Sequence, residues 1–598
     1  MKAIRFIYPV GVCLVLTYVV SLALFSHAGF PQALSVNTHM PFLCDKPVGE
    51  DGYYMLEVAW NLAAGKGAVG NDGQTVTGIQ PLSALLFAVI AKIVQVWGGD
   101  KWTFVRAIIV FGGLNLIIFA FLIGKISQAI NQGRENQKLV FAIGSALALF
   151  NFWLFRAFTY GLETGIYVTL LAALLLFTLV RLPSAKTADI VGIGLLAGLC
   201  GWARIDFGAI FFVFLVMALL WRLMSLKQAL LSGLVALVLI LPWFFWVYAE
   251  SSTMMPSSGP AQSALINMAS AGSRLASMAQ SLLIHFTPWL YNRSFGPGPL
   301  GGWQSAFFIL LLIALLWWLK SLKQVFWSAL AGFVLILMFT PGLVPSSRQF
   351  SDLMKLVNAL ELASLVILAV LIRSKRINVV SYIGISKVYA SWCLAVAILV
   401  PLYVMFFWAV HFYARYTTPL HCVILPFLAV ILSALLAAVK RKEMVIHAFF
   451  VVLIASFTIF AGVILHTGVT NSPQSVSAGF IQQYFDQKVR IGAFQSGALG
   501  YFNQNTINLD GKVNSQALRA LRTKTLERYI DEAHIDVIID WPEAIHGSLN
   551  EQWLTGWQPC VRQPADKSIC LIRRGAGLAF GKNGLPTTIR PSDGVKMQ

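Results

Sequence analysis

The sequence has few charged residues. Asp, Glu, Lys and Arg make up 12% of the 598 residues, whereas 58% are hydrophobic and the mean hydropathy is +0.73. Soluble globular domains carry about 25% charged residues. The scarcity of charge therefore argues against a soluble protein and predicts a polytopic α-helical membrane protein.

Several functional motifs are also missing. The seven cysteines do not have the spacing of a zinc site. Residues 492–500 are rich in glycine but have neither the GxGxxG pattern nor a P-loop lysine, which argues against a nucleotide cofactor. The formal charge of +19 comes without a basic stripe and interleaved aromatic residues, so we predict no nucleic-acid partner. No internal repeat is visible, which argues against an inverted-repeat transporter.

Long apolar runs are what the sequence does contain. Each reaches or approaches the length that crosses the hydrocarbon core of a bilayer, and together they predict about thirteen spanning helices. The first run follows Lys2 and Arg5 and is predicted to be an uncleaved helix rather than a signal peptide. The predicted spans are residues 6–26, 104–124, 139–158, 162–181, 187–203, 206–222, 229–248, 303–320, 325–343, 356–373, 390–410, 418–438 and 446–466.

Basic residues set the predicted orientation. The stretch 82–97 is apolar but short and carries Lys92. If it lies along the outer surface instead of crossing, Lys and Arg fall in the short cytoplasmic loops, as the positive-inside rule requires. We therefore predict a cytoplasmic N-terminus, two long outer loops at residues 27–103 and 249–302, and a C-terminal region outside.

The composition changes at about residue 467, from a transmembrane domain (1–466) to a soluble α/β domain (467–575) followed by a poorly ordered tail (576–598). Cys560 and Cys570 in this region could form a disulfide in an oxidising compartment. Residues 490–494, 506–509 and 536–539 predict strands, and residues 515–521 and 525–533 predict helices.

The acidic pair Glu50 and Asp51 begins an apolar-faced helical stretch in the first outer loop. Adjacent carboxylates at a membrane surface raise the pKa of one another, an arrangement that suits a general base. The alternative is structural: Asp51 could simply cap the helix and favour its dipole.

Five segments, in order and on the predicted outer side, resemble the GT-C superfamily of membrane glycosyltransferases. The resemblance extends over most of the chain and is strongest to bacterial enzymes of the arabinofuranosyltransferase type. The segments are EDGYYMLEVAWNLAAGKGAV with TGIQPLSALLFAV (50–69, 77–89), YGLETGIY (160–167), GWARIDFGA (201–209), FYARYTTPL (412–420), and GAFQSGALGYF with NLDGKVN (492–502, 508–514).

The resemblance implies transfer of a sugar, a pentofuranose among the candidates, from a polyprenyl-phosphate donor to a glycan, lipid or protein acceptor. It places the reaction on the periplasmic face of a bacterial inner membrane. Asp51 would be the general base and Glu50 its partner. A single displacement with one base implies inversion of the anomeric carbon. Some relatives use a divalent cation (Mg, Mn or Ca) and others do not, so the metal stays unassigned.

Further residues at the outer ends of the predicted spans are candidates for substrate contacts. Arg204, Arg415 and Lys355 are candidates for the donor phosphate, although each could instead anchor its helix at the interface. The candidates for the sugar or the acceptor are Glu163, Asp206, Tyr53, Gln80 and His411.

Two other classes of function stay open at this point. One is a ligase or polymerase that moves an oligosaccharide from a lipid diphosphate. The other is a non-enzymatic transporter or flippase, which predicts charges near the bilayer midplane. The charges here gather at helix ends instead.

Overall fold

The computed structural model of the chain describes residues 4–24, 46–286, 386–437, 442–467 and 473–575, apart from 72, 132–135, 253, 255, 260, 262–268, 487, 561–562 and 565–567. Some sequence predictions lie outside the described residues. They are the spans 303–320, 325–343 and 356–373, residues 27–45 of the first loop, residues 287–302 of the second, Lys355, and the tail 576–598.

The first part of the chain is helical. Its helices are α1 (Ile4–Leu24), α2 (Glu50–Ala63), α3 (Pro81–Val96), α4 (Lys101–Ile130), α5 (Gln137–Leu149), α6 (Phe152–Thr159), α7 (Thr164–Arg181), α8 (Thr187–Ala203), α9 (Phe207–Leu220), α10 (Leu226–Ser251), α11 (Ala271–Phe286), α12 (Lys387–Ala397), α13 (Leu399–Phe406), α14 (Tyr413–Tyr416), α15 (His421–Ala437) and α16 (Lys442–Thr467). Short 3-10 turns lie at Leu182–Ser184, Val410–Phe412 and Thr418–Leu420.

Among the described residues, five helical segments are long and apolar enough to cross a membrane. They are α1, α4, α7 with the turn after it, α10, and α12 with α13. The pair α5 and α6 adds a sixth if it counts as one span. The architecture is therefore that of a helical membrane protein, and the total of about thirteen spans stays a prediction.

The predicted single span 139–158 is wrong in one respect. It is divided into α5 and α6, which meet at 58°. Asn151 causes the break, because its side-chain oxygen accepts the Leu154 N–H at 3.0 Å and starts a new helix. Helix α3 matches the predicted stretch 82–97, and its 16 residues rise about 24 Å, less than the roughly 30 Å of a bilayer core.

Small residues bring α8 and α10 close together. A Cβ added at Gly194 would lie 2.7 Å from the Ser232 carbonyl oxygen, and one at Gly198 would lie 2.7 Å from the Leu239 side chain. Glycines four residues apart allow such close approach of membrane helices. This contact fixes the end of α8, where Arg204 lies.

The last part of the chain is an α/β unit. It contains α17 (Pro473–Tyr484), β1 (Ile491–Ala493), α18 (Gly497–Phe502), β2 (Thr506–Asn508), α19 (Ser515–Thr523), α20 (Leu526–Glu532), β3 (Val537–Asp540), α21 (Pro542–Ser548), α22 (Glu551–Leu554), β4 (Trp557–Pro559) and β5 (Ile569–Arg573). The predicted strands and helices are all present within a few residues. The sequence analysis did not predict α17, α18, α21, α22, β4 or β5.

The five strands form one sheet in the order β2-β1-β3-β5-β4. The first three are parallel, and β5 and β4 are antiparallel to their neighbours. Cys560 and Cys570 are joined by a disulfide. In parallel sheets, ligands and partners bind at the carboxyl ends of the strands. Here that edge faces the first turn of α2.

Helix α18 makes one contact between the two parts. It packs against α2, with the ring of Tyr501 5.4 Å and that of Phe502 5.9 Å from the ring of Tyr53. The Tyr501 hydroxyl donates to the Lys101 carbonyl at 2.8 Å. The C-terminal domain is thereby held against the loop that follows α1.

Candidate active site

The acidic pair lies in a first turn that two glycines allow to pack closely. Helix α2 begins at Glu50, and the N–H of Gly49 donates to the Tyr160 carbonyl at 3.1 Å. A Cβ at Gly49 would lie 1.9 Å from the Tyr160 ring, and one at Gly52 would lie 2.3 Å from the Tyr160 carbonyl. Glycine on both sides of the acidic pair therefore lets this turn lie against the end of α6.

A cavity of about 260 Å³ opens beside this turn. Helical spacing turns Asp51, Tyr54 and Met55 of α2 toward it, whereas Glu50 and Tyr53 point to the C-terminal domain. The cavity brings together six of the predicted site residues, namely Asp51, Gln80, Glu163, Arg204, Asp206 and Arg415.

One group of lining residues, which we call the Arg204 cluster, consists of Arg204, Glu163, Asp206 and Tyr403. Arg204 donates from Nη1 to Glu163 at 3.0 Å, and from Nε and Nη2 to the two oxygens of Asp206 at 3.0 and 2.8 Å. Its Nη2 also lies 3.1 Å from the Tyr403 hydroxyl, which donates to Asp206. These ion-paired side chains are only 6–11% exposed. Two carboxylates thus surround one guanidinium.

A second group, the Asp51 cluster, consists of Asp51, Arg415, Lys512 and Asp510. Arg415 Nη1 donates to Asp51 Oδ2 at 3.1 Å, and Lys512 Nζ lies 3.7 Å from Asp51 Oδ1. Lys512 also pairs with Asp510 at 3.1 Å. Asp51, Arg415 and Lys512 are 15–21% exposed, and all three line the cavity.

The ionisation of Asp51 differs from the sequence expectation. Burial acts to raise its pKa, but the charges of Lys512 and Arg415 outweigh burial and hold the pKa below its usual value. Asp51 is therefore a carboxylate at neutral pH, in the form that accepts a proton. His411, in the turn before α14, is not among the residues that line the cavity, and burial lowers its pKa, so it is mainly uncharged at neutral pH.

Glu50 is the acidic residue whose pKa is raised. It is buried, and burial raises its pKa to about 8, with the nearby charges of Asp51 and Asp540 adding to the effect. Its carboxyl oxygens accept the backbone N–H groups of Gly497 and Ala498, the latter at 3.1 Å. The prediction of a catalytic partner is thereby corrected: Glu50 fastens α18 to α2.

Tyr53 is also placed differently from its prediction. It is fully buried among the aromatic rings of α18, and its neighbour Tyr54 lines the cavity instead. The Tyr54 hydroxyl accepts the Ser496 N–H at 2.9 Å and an Asn508 side-chain N–H at 3.3 Å. A shift of one position on a helix turns a side chain by about 100°, which separates these two roles.

Aromatic rings form another part of the cavity wall. Tyr403 and Tyr416 stack with their ring centres 4.9 Å apart and nearly parallel. The guanidinium of Arg204 lies 4.5 Å and that of Arg415 5.0 Å from the centre of the Tyr416 ring. Gln80, which precedes α3, also lines the cavity. Stacked rings beside polar groups suit a ligand with both apolar and hydroxylated faces.

The described residues do not fit a divalent cation. No three His, Cys, Asp or Glu side chains come together among them in a metal-binding arrangement. The cavity carboxylates Asp51, Glu163 and Asp206 are each paired with Arg or Lys. We therefore derive no step through a metal.

Sequence reasoning missed Lys512, Tyr54 and Tyr403 as site residues. Lys512 lies in the segment NLDGKVN, where an Asp-Gly turn follows a strand, so the motif held a signal. Tyr403 lies in an apolar run, and nothing in its surroundings distinguishes it from a packed aromatic residue.

Comparison with known proteins places the fold. The model of a domain of unknown function (DUF8728) matches residues 467–573, and no curated protein matches the chain. The apo oligosaccharyltransferase of Archaeoglobus fulgidus superposes with a TM-score of 0.50 at 10% identity, over 93% of this chain and 73% of that one.

Two further solved structures are similar. The oligosaccharyltransferase AglB of A. fulgidus, in complex with an inhibitory peptide and a dolichol-phosphate, has a TM-score of 0.48 at 11% identity, with 97% and 75% of the two chains covered. ArnT from Cupriavidus metallidurans, bound to undecaprenyl phosphate, has a TM-score of 0.44 at 15% identity, with 90% and 96% covered. The superposition at a TM-score of 0.50 shows that this chain shares the fold of the A. fulgidus oligosaccharyltransferase.

Proposed function

We propose that this protein is a membrane glycosyltransferase that moves a sugar from a polyprenyl-phosphate lipid to a hydroxyl group of a cell-envelope glycan, lipid or protein. The observation that carries the proposal is the position of Asp51. It is ionised, faces a cavity at the ends of membrane helices, and is paired with Arg415. In glycosyl transfer, a carboxylate can accept the proton of the acceptor hydroxyl, and a guanidinium beside it can stabilise the negative charge that develops on the leaving phosphate.

The step is a single displacement. Asp51 takes the proton of the acceptor hydroxyl, and the acceptor oxygen forms a bond to the anomeric carbon. The bond from that carbon to the phosphate oxygen breaks, and its electron pair leaves with the lipid phosphate. Arg415 lies 3.1 Å from Asp51, close enough to donate to the departing phosphate. Direct attack with one base inverts the anomeric carbon.

The remaining cavity residues are assigned to the sugar. Glu163 and Asp206 present carboxylate oxygens that accept hydrogen bonds from hydroxyl groups, and the stacked rings of Tyr403 and Tyr416 offer an apolar face. A pentofuranose is our candidate sugar, from the sequence resemblance. The orientation argued from the basic loops puts this cavity on the periplasmic face of a bacterial inner membrane.

Replacement of the base tests the proposal directly. We expect Asp51→Asn to lower sugar transfer from a polyprenyl-phosphate donor by about 10²- to 10⁴-fold, because an amide cannot accept the proton. The measurement is turnover by purified protein in detergent or nanodiscs, with folding checked by thermal unfolding.

The matched control is Glu543→Gln, an exposed carboxylate in the first turn of α21. It makes the same change of charge outside the cavity and should keep full turnover. Turnover close to wild type in a folded Asp51→Asn protein would remove Asp51 as the base.

A further inference from the structure

The C-terminal domain contributes a cation to the cavity. Lys512 follows β2 and is the cation that this domain contributes to the Asp51 cluster. Its ammonium has three donors, one of which serves Asp510 at 3.1 Å, while the oxygen of Asp51 lies farther away at 3.7 Å. The head group is therefore held at the cavity wall by Asp510 and is directed toward Asp51.

The loop that carries Lys512 is built to a fixed shape. The Lys512 N–H donates to Asp510, and the Gly511 N–H donates to the side chain of Asn508, both at 2.9 Å. Gly511 has φ of +77°, a conformation that suits glycine. Such a turn positions the lysine at little entropic cost when a ligand binds.

The membrane domain holds the same loop from the other side. The Ser257 hydroxyl donates to the Lys512 carbonyl at 2.9 Å. The backbone at Gly78 approaches so closely that an added Cβ would lie 2.4 Å from that carbonyl oxygen. Both parts of the chain therefore fix the position of Lys512.

Arg204 and Lys512 differ in the carboxylates that balance their charges. Arg204 is surrounded by two carboxylates of its own, Glu163 and Asp206. Lys512 is paired with Asp510 at 3.1 Å, and Lys512 and Arg415 both lie beside Asp51. When Asp51 accepts a proton it loses its negative charge, and these two cations lose part of their compensation. A leaving phosphate gains a negative charge in the same step.

We propose that Lys512 binds the phosphate of the lipid donor and, with Arg415, passes from Asp51 to the departing phosphate as the sugar is transferred; this rests on the proposed function. The negative charge that the two cations balance stays constant through the step, because the charge that Asp51 loses on protonation appears on the leaving phosphate. Such stabilisation grows only in the transition state, as catalysis requires. The C-terminal domain is accordingly part of the catalytic unit.

Binding of polyprenyl phosphate itself tests the proposal without sugar transfer. The full-length protein in nanodiscs is titrated with polyprenyl phosphate and, separately, with the uncharged polyprenol. We expect Lys512→Met to weaken binding of the phosphate lipid by about 10- to 100-fold, as for loss of a charge-assisted hydrogen bond, and to leave polyprenol binding unchanged. Lys512→Arg should restore most of the preference for the phosphate. Lys488→Met, an exposed lysine of the same domain, is the control and should bind as wild type does.

The outcomes separate the two proposals. A folded Lys512→Met or Lys512→Gln protein that keeps the full preference for polyprenyl phosphate overturns the role of Lys512, and the proposed function stands on Asp51 and Arg415. An equal loss of phosphate and polyprenol binding makes Lys512 structural and also overturns the inference. Wild-type protein that binds neither lipid overturns the proposed function and the inference with it.

Discussion

The Arg204 cluster and the Asp51 cluster line one cavity but differ in how their charges are balanced. In the first, one guanidinium is enclosed by two carboxylates, and every member comes from the membrane helices or their ends. In the second, Asp51 lies beside two cations, Arg415 and Lys512, and Lys512 comes from the C-terminal domain together with Asp510, its nearer carboxylate. The first arrangement is satisfied within itself, whereas the second is completed only when the two domains meet.

The difference teaches which group is suited to react. Moving a guanidinium away from two fixed, buried carboxylates costs a large free energy, so the Arg204 cluster favours a single geometry. A carboxylate shared by two more exposed cations can exchange partners with a ligand. We therefore assign orientation to the Arg204 cluster and chemistry to the Asp51 cluster.

The largest effect on stability should follow from Arg204→Met. The change leaves Glu163 and Asp206 buried without their counter-ion, which costs about 3–5 kcal/mol when a buried pair is broken on one side. Thermal unfolding in detergent should show a large fall in the midpoint.

The comparison variant is Arg415→Met. There Asp51 keeps Lys512 at 3.7 Å and is more exposed, so the midpoint should fall much less. Equal destabilisation by the two variants would contradict the distinction between the clusters.

The sequence indicated most of the charged residues in these clusters, but it did not indicate which residues pair with one another. Charged residues stand out at the ends of apolar runs, so Asp51, Glu163, Arg204 and Arg415 could be found and placed on one face. Lys512 could not, because its contact with Asp51 joins positions more than 400 residues apart, and a lone lysine after a turn has many ordinary explanations.

The roles within the acidic pair were likewise beyond the sequence. Which carboxylate faces the cavity depends on the rotation of α2, and that rotation is set by the contact of Tyr53 with α18. The helical class and the three parallel strands of the C-terminal domain followed from periodicity. The bend at Asn151 did not, since an asparagine within an apolar run is compatible with an unbroken helix.

Glu50 gives a pH dependence to the contact that completes the Asp51 cluster. Its pKa of about 8 in the folded protein lies above the ordinary 4.5, so the folded state keeps a proton that the unfolded chain has lost. The stability that neutral Glu50 contributes is full below about pH 4.5 and is lost as the pH rises through about 8.

Hydrogen exchange of the peptide that contains Gly497 and Ala498 measures this contact. Corrected for intrinsic rates, protection should fall as the pH rises through about 8 in the wild type. In Glu50→Gln the protection should already be lower at low pH, since an amide cannot accept both N–H groups. It should also be nearly independent of pH. Wild-type protection that does not fall between about pH 4.5 and about pH 8 would contradict the prediction.

The smallest effect should come from Tyr54→Phe, which removes one hydroxyl at the same contact. The buried Ser496 N–H then loses its acceptor, which costs about 1–3 kcal/mol. Tyr529→Phe is the control, because that hydroxyl bonds to Asn514 within the C-terminal domain and not across the contact. Exchange in the peptide with Ser496 should rise in the first variant and change little in the second.

Because Glu50 and Tyr54 hold adjacent residues of one segment, the double variant Glu50→Gln with Tyr54→Phe should lose less protection than the sum of the two single losses. A strictly additive result would mean that the segment is held at two independent points.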